Sequence, residues 1–148
     1  MTTYYPPLGF HFSVEFTGVS KGEFQFQSVS GLTVTLETED IAEGGENRFK
    51  HKLPVRSDYS NLVLKRGLVA KSDLINWCRS AIEDFDIEPV NVVVKLLNGD
   101  HEPLMTWNVV HAWPVKWEVS DFDAEENKVV IESIELVYNY FKIQKDAD

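Results

Sequence analysis

The stretch Phe10-His11-Phe12-Ser13-Val14-Glu15-Phe16 alternates apolar and polar residues without a break. Successive side chains of an extended chain point to opposite faces, so this period of two predicts a half-buried strand with Phe10, Phe12, Val14 and Phe16 inward. The same period returns along most of the chain and makes a β-rich fold the expectation. Residues 17–22 read as a turn, and a second strand is expected around Phe24 and Phe26. Gly31 breaks the pattern before Leu32, Val34 and Leu36 resume it against Thr33, Thr35 and Glu37.

Residues 39–47 are polar and acidic and carry Gly44-Gly45, which predicts a loop. From Arg48 to Leu53 the alternation returns, with Phe49, His51 and Leu53 on one side and Arg48, Lys50 and Lys52 on the other. Pro54 should end it, because proline cannot donate to a ladder. Residues 61–67 predict another strand. Ser72 then suits a helix N-cap, with Asp73 in the first turn. Leu74, Cys78, Ala81, Ile82 and Phe85 fall at helical spacing, so a helix is expected over 73–85. Cys78 lies on that stripe and reads as a small buried hydrophobe.

Residues 90–97 form an apolar run before Asn98-Gly99, a strong signal for a type I′ hairpin. Residues 106–113 supply the partner strand, Pro114 should interrupt it, and 115–119 continue. After an acidic turn over 121–128, one strand is expected over 129–143. Glu132 and Glu135 are three apart there, so the alternation slips and a bulge is expected near Ser133. About eight strands and one helix, with no internal repeat, predict a mainly β domain spanning residues 1–148. Its form is a barrel or sandwich with the helix on one end or face.

The charge narrows the partners. Fourteen basic and 24 acidic residues give −10, which disfavours binding to a phosphate backbone and suits a basic protein partner or simple solubility. A single cysteine allows no internal disulfide. No secretory signal is visible in residues 1–7, and no segment approaches the ~20 apolar residues of a membrane span. Synthesis and folding in a reducing cytoplasm follow.

Catalytic patterns are missing from the sequence. None of His11, His51, His101 and His111 has a second ligand at metal-motif spacing, no phosphate loop occurs, and no serine lies in a nucleophile elbow. Asp121, Asp123, Glu125 and Glu132 sit at offsets like those of a calcium loop. The central glycine is replaced by Glu126 and a strand follows, so an acidic surface turn is expected. Trp107, Trp113, Trp117, Tyr138, Tyr140 and Phe141 read as core rings. No enzymatic activity, metal or cofactor is expected.

An ordered series of motifs resembles the tail tube proteins of contractile phages and the inner-tube proteins of contractile injection systems. It runs from Pro6-Pro7-Leu8-Gly9-Phe10 through Val29-Ser30-Gly31-Leu32, Glu43-Gly44-Gly45-Glu46-Asn47, Leu53-Pro54 and Leu64-Lys65-Arg66-Gly67. Trp77, Trp107-Asn108-Val109, Ala112-Trp113-Pro114 and Ile131-Glu132-Ser133-Ile134 complete it. The resemblance implies a tail-tube-like β-barrel with one helix, whose copies form hexameric rings stacked around a lumen open to cargo. It also implies a surrounding sheath, a baseplate and tube-terminating proteins as partners. The chain would be made in the bacterial cytoplasm and then join an assembled tail or extracellular particle.

By that resemblance the extended loop at 39–54 reaches the adjoining ring, with Glu43, Gly44, Gly45, Glu46, Asn47, Arg48, Phe49, Lys50, Leu53 and Pro54 as stacking residues. Its acidic and basic halves could pair head to tail. Glu83, Asp84, Asp121 and Asp123 are candidate sheath contacts. A type VI secretion-like ring protein and a monomeric ligand-binding β-barrel are the alternatives.

Overall fold

The computed structural model describes residues 10–19, 22–41, 51–69, 72–120 and 130–144. Its elements are β1 (His11–Phe16), β2 (Phe24–Phe26), β3 (Ser28–Ser30), β4 (Val34–Ile41), β5 (His51–Tyr59), β6 (Leu62–Gly67), α1 (Asp73–Asp84), β7 (Val90–Leu97), β8 (Pro103–Val119), β9 (Ile131–Val137) and β10 (Tyr140–Gln144). An eight-stranded sheet runs β2-β1-β7-β8-β9-β6-β3, with β10 added on β8, while β4 and β5 form a separate ribbon. The fold is mainly β with one helix, as the alternation predicts.

Two corners wrap the sheet around a common core. The first lies in β8, whose early part pairs with β7 and β10 (Trp107 opposite Val94 and Ile143) and whose later part pairs with β9 (Trp117 opposite Ile134). Between them His111 takes φ 61°, and the register steps between Pro114 and Lys116. Pro114 therefore does not interrupt the strand. A residue without an N–H is tolerated where the ladder is already stepped, and strands commonly change sheets at such a bend. The second corner is Gln27, between β2 and β3, whose N–H donates to the Lys65 carbonyl at 2.9 Å. β2 and β3 are thus the two halves of one stretch, standing at opposite ends of the ladder.

Val14, Phe16, Phe26, Leu62, Leu64, Val92, Val94, Val109, Ile134 and Leu136 fill the core. Helix α1 covers one side. Ser72 Oγ accepts from the Leu74 N–H at 3.1 Å, the expected cap, and Leu74, Trp77, Cys78 and Ala81 are buried. Trp77 packs 5.6 Å from Phe16, ring centre to ring centre, and its indole N–H donates to the Glu88 carbonyl at 2.9 Å. The apolar stripe stops at Ala81, and Ile82 and Phe85, expected to continue it, are exposed. Among the predicted core rings, Tyr138 and Phe141 are buried, Trp107 and Trp117 are packed partly against the core, and Tyr140 is exposed.

Several local expectations are corrected. Phe10 is exposed just ahead of β1. The β7–β8 turn is not a two-residue type I′ turn. Leu97 pairs with Pro103, the Asn98 side chain accepts from the Asp100 and Glu102 N–H groups, and His101 carries the positive φ of 61°. Asn98 thus organises a five-residue loop by side-chain capping of the backbone. The last strand is divided into β9 and β10 because its partner bends at His111; the Asn139 N–H still reaches the Val110 carbonyl at 3.0 Å. No bulge occurs at Ser133. β9 keeps an unbroken register with β6, and Glu132, Ile134 and Leu136 all face inward.

Candidate assembly interface

The β4–β5 ribbon stands apart from the core. Eight residues of β4 at about 3.4 Å each make it roughly 25 Å long. Its root is firmly fixed. The ring of Tyr59 packs 5.1 Å from that of Phe141 and 6.0 Å from that of Tyr138, and the Ser60 N–H donates to the Thr33 carbonyl at 3.2 Å. At Gly31 (φ +91°) an added Cβ would lie 1.8 Å from the Asn61 carbonyl oxygen, so only glycine lets the two chains pass.

Beyond the root, both faces of the ribbon are open. Val34 and Leu36 share one face, and Ile41 and Leu53 lie on the other. Leu36 is 58% exposed and Val55, at the register step, is 54% exposed. Glu37 and Arg56 face each other in an ion pair of 2.7 Å. A one-sided amphipathic strand would bury one of these faces in its own core. This ribbon buries neither.

Pro54 does not end β5, which continues to Tyr59. Pro54 pairs with Thr38 where the register steps, and both strands of a two-stranded ribbon are edges. Residues 39–41 and 51–54, expected as loop, or for 51–53 as a separate short strand, belong to this ribbon. Leu53 is exposed on it. Glu43, Gly44, Gly45, Glu46, Asn47, Arg48, Phe49 and Lys50 lie outside the described residues, as do Asp121 and Asp123. Glu83 is on the exposed helix surface in an i,i+4 ion pair with Arg79 at 3.2 Å, and Asp84 is the last helical residue. The structure thus separates Leu53 and Pro54 on the ribbon from Glu83 and Asp84 on the helix.

A second polar arrangement lies inside. Arg66 Nε donates to Glu132 Oε2 at 2.9 Å, and the Trp117 indole N–H donates to Glu132 Oε1 at 2.8 Å. Arg66 also donates to Ser72 Oγ at 3.2 Å, and its guanidinium carbon lies 5.2 Å from the ring centres of both Phe24 and Phe26. The network joins β2, β6, β8, β9 and the helix cap. Both oxygens of Glu132 are used in holding the fold, so this carboxylate is not part of an acidic surface turn. Burial, with the Glu132 carboxylate nearby, pushes the Cys78 thiol up to about 12, which keeps it protonated and inert. Among the described residues no group of three or more His, Cys, Asp or Glu side chains converges on a metal-sized site.

Neither the ribbon's exposure nor the Arg66–Glu132 pair is readable from the sequence. An alternating strand looks the same whether its partner lies in the same chain or another, and Arg66 and Glu132 are 66 residues apart.

A family model described as T4-like virus tail tube protein gp19 matches residues 8–142. No curated protein sequence matches. Among solved structures, a chain in the baseplate of the anti-feeding prophage (AFP) is 33% identical, with a TM-score of 0.80 and 98% of each chain covered. A chain in the PVC sheath-tube complex, from an extracellular contractile injection system in its extended state, is 30% identical, with a TM-score of 0.79, covering 96% of this chain and 93% of that one. Hcp1 from Salmonella typhimurium is 13% identical, with a TM-score of 0.62 over 93% of this chain and 87% of its own, and shares the fold alone.

Proposed function

The chain belongs to the T4-like virus tail tube protein family, and from that premise we propose that it closes hexameric rings and stacks them into a hollow tube through the β4–β5 ribbon. It is a structural subunit of the inner tube of a contractile tail or tail-like injection system. The role needs no reaction of its own. The relatives occur in structures with sheath, baseplate and tube terminator, and by that relationship this subunit meets the same classes of partner. Synthesis in the cytoplasm precedes assembly, and the lumen of the tube is the space for cargo.

The observation that carries the assembly reading is the ribbon with apolar residues exposed on both faces. Exposed strand edges and apolar ribbon faces are aggregation hazards in a monomer, and in a head-to-tail oligomer they become the contact. Residues 39–54 as one stacking segment, from Glu43 to Pro54, extend that reading to the residues between β4 and β5. A single domain over residues 1–148 is part of the same proposal.

The test is substitution on the ribbon. Leu36→Asp and Val55→Asp change exposed positions, so the subunit should stay folded, with stability altered by about 0.5 kcal/mol or less. Ring and tube formation should fail in electron micrographs. Normal tubes from either folded variant would refute the assignment.

A further inference from the structure

The C-terminal end of α1 is built against local preference. The Phe85 N–H, and the Asp86 N–H at 3.0 Å, both reach back to the Ser80 carbonyl and close the helix with a left-handed turn. That turn needs one residue in the left-handed region, usually glycine. Here it is Phe85, at φ 55° and ψ 22°. A bulky aromatic in this conformation is an outlier, and strain of this kind gathers at functional positions. The same side chain is 85% exposed, the most exposed of the chain's large apolar residues among those described. The backbone preference and the hydrophobic effect both oppose phenylalanine at this position. A partner that covers the ring removes the second objection and offsets the first.

The surroundings indicate what that partner carries. Between residues 72 and 94 the chain has Asp73, Glu83, Asp84, Asp86 and Glu88, and Arg79 is the only cation. Arg79 is already held by Glu83. An open cleft of about 260 Å³ is lined in part by Asp73, Asn76, Ser80, Glu88 and Asp86, the residue that follows Phe85. Carboxylates with neutral hydrogen-bonding groups around such a cleft suit the head of a lysine or arginine from outside. Ile82 and Ile87, close to Phe85 in the chain, are also exposed.

We infer that Phe85 is the apolar anchor for the sheath, seated in an apolar pocket of a basic sheath surface that inserts a cationic side chain into the adjoining acidic cleft. This rests on the tube reading above and assigns a centre to the sheath contact. A second copy of this chain fits poorly. Each copy carries −10, so a second copy brings like net charge toward this acidic cleft. Protein interfaces are enriched in aromatic residues and bordered by a polar rim.

The test uses full-length tubes and the sheath subunit of the same particle, with co-sedimentation as the readout. Phe85→Gly should leave tube length unchanged and keep or raise the melting temperature of the subunit, because glycine accepts the left-handed conformation freely. Sheath binding should fall on the order of tenfold or more. Phe85→Asn, also tolerant of that conformation, should behave alike. Sheath binding equal to wild type in both variants would overturn this inference and leave the tube reading intact. Folded variants that build no tube would show that a neighbouring copy covers Phe85, which also overturns it. Failure of both variants to fold would place Phe85 in the subunit's own structure, and the sheath assignment would fall with it. A wild-type chain that builds no tube would remove the tube reading and this inference together.

Discussion

Removing one member of the buried Arg66–Glu132 pair should be far more damaging than removing both. The Arg66 and Glu132 side chains are 7% and 0% exposed, and the pair closes at 2.9 Å. Glu132→Ala leaves a guanidinium among Phe24, Phe26 and Ser72 without its counter-charge, and the Trp117 indole N–H loses its acceptor. Breaking one side of a buried pair costs about 3–5 kcal/mol. Against a total of about 5–15 kcal/mol for a domain, that is a large share, and it should lower the melting temperature by about 10 °C or more. Arg66→Met strands the carboxylate instead and should cost a similar amount. In the double variant Arg66→Met/Glu132→Leu no charge is left buried. Such replacements are often neutral or stabilising by about 1–4 kcal/mol, offset here by about 1 kcal/mol for the half-buried Trp117 N–H. The double variant should therefore lie near wild type, with a coupling energy of several kcal/mol. Denaturant unfolding followed by circular dichroism, below the concentration at which rings form, gives all four corners of the cycle, since assembly would shift the apparent stability. Single variants costing less than about 1 kcal/mol, or a double variant costing the sum of the singles, would refute this account.

Gly31→Ala should cost well over ~2 kcal/mol, because its Cβ would fall 1.8 Å from a backbone oxygen at a positive φ; soluble yield and denaturation midpoint read the loss. Ser72→Ala removes both the helix cap and a partner of Arg66, and should cost about 1–2 kcal/mol in the same assay. The Cys78 thiol, raised to about 12 by burial from its ordinary value of 9.0, should resist thiol reagents at pH 8 until the chain unfolds. The unfolded chain ionises first, so this group's contribution is complete below about pH 9 and is lost as the pH rises toward 12; unfolding midpoints across that range should fall with pH. Changing Arg48 and Lys50 to glutamate should spare folding, by circular dichroism, and shorten or abolish tubes in micrographs. Long normal tubes would detach those residues from stacking.

Local order is legible in the sequence because it depends on neighbours a few residues apart. The period of two in residues 10–16 is β1, Ser72 caps α1, and residues 61–67 give β6 almost to the residue. The ordered series of short motifs also carries the family, since each sits at a fixed place along the chain. What the tertiary structure alone decides is which faces meet. The departure from alternation around Glu132 suggests a bulge, yet β9 is regular. Arg66 arrives from β6 to neutralise the carboxylate, and no local pattern encodes a partner 66 residues away. Pro54 and Pro114 read as strand ends, yet each lies where the register steps and the missing N–H does little harm. Val34, Leu36, Leu53 and Val55 have the pattern of strands packed on a core, and only the packed subunit shows that no core lies against them. Alternation records that a face is to be buried, and the three-dimensional arrangement determines whether the same chain or another one buries it.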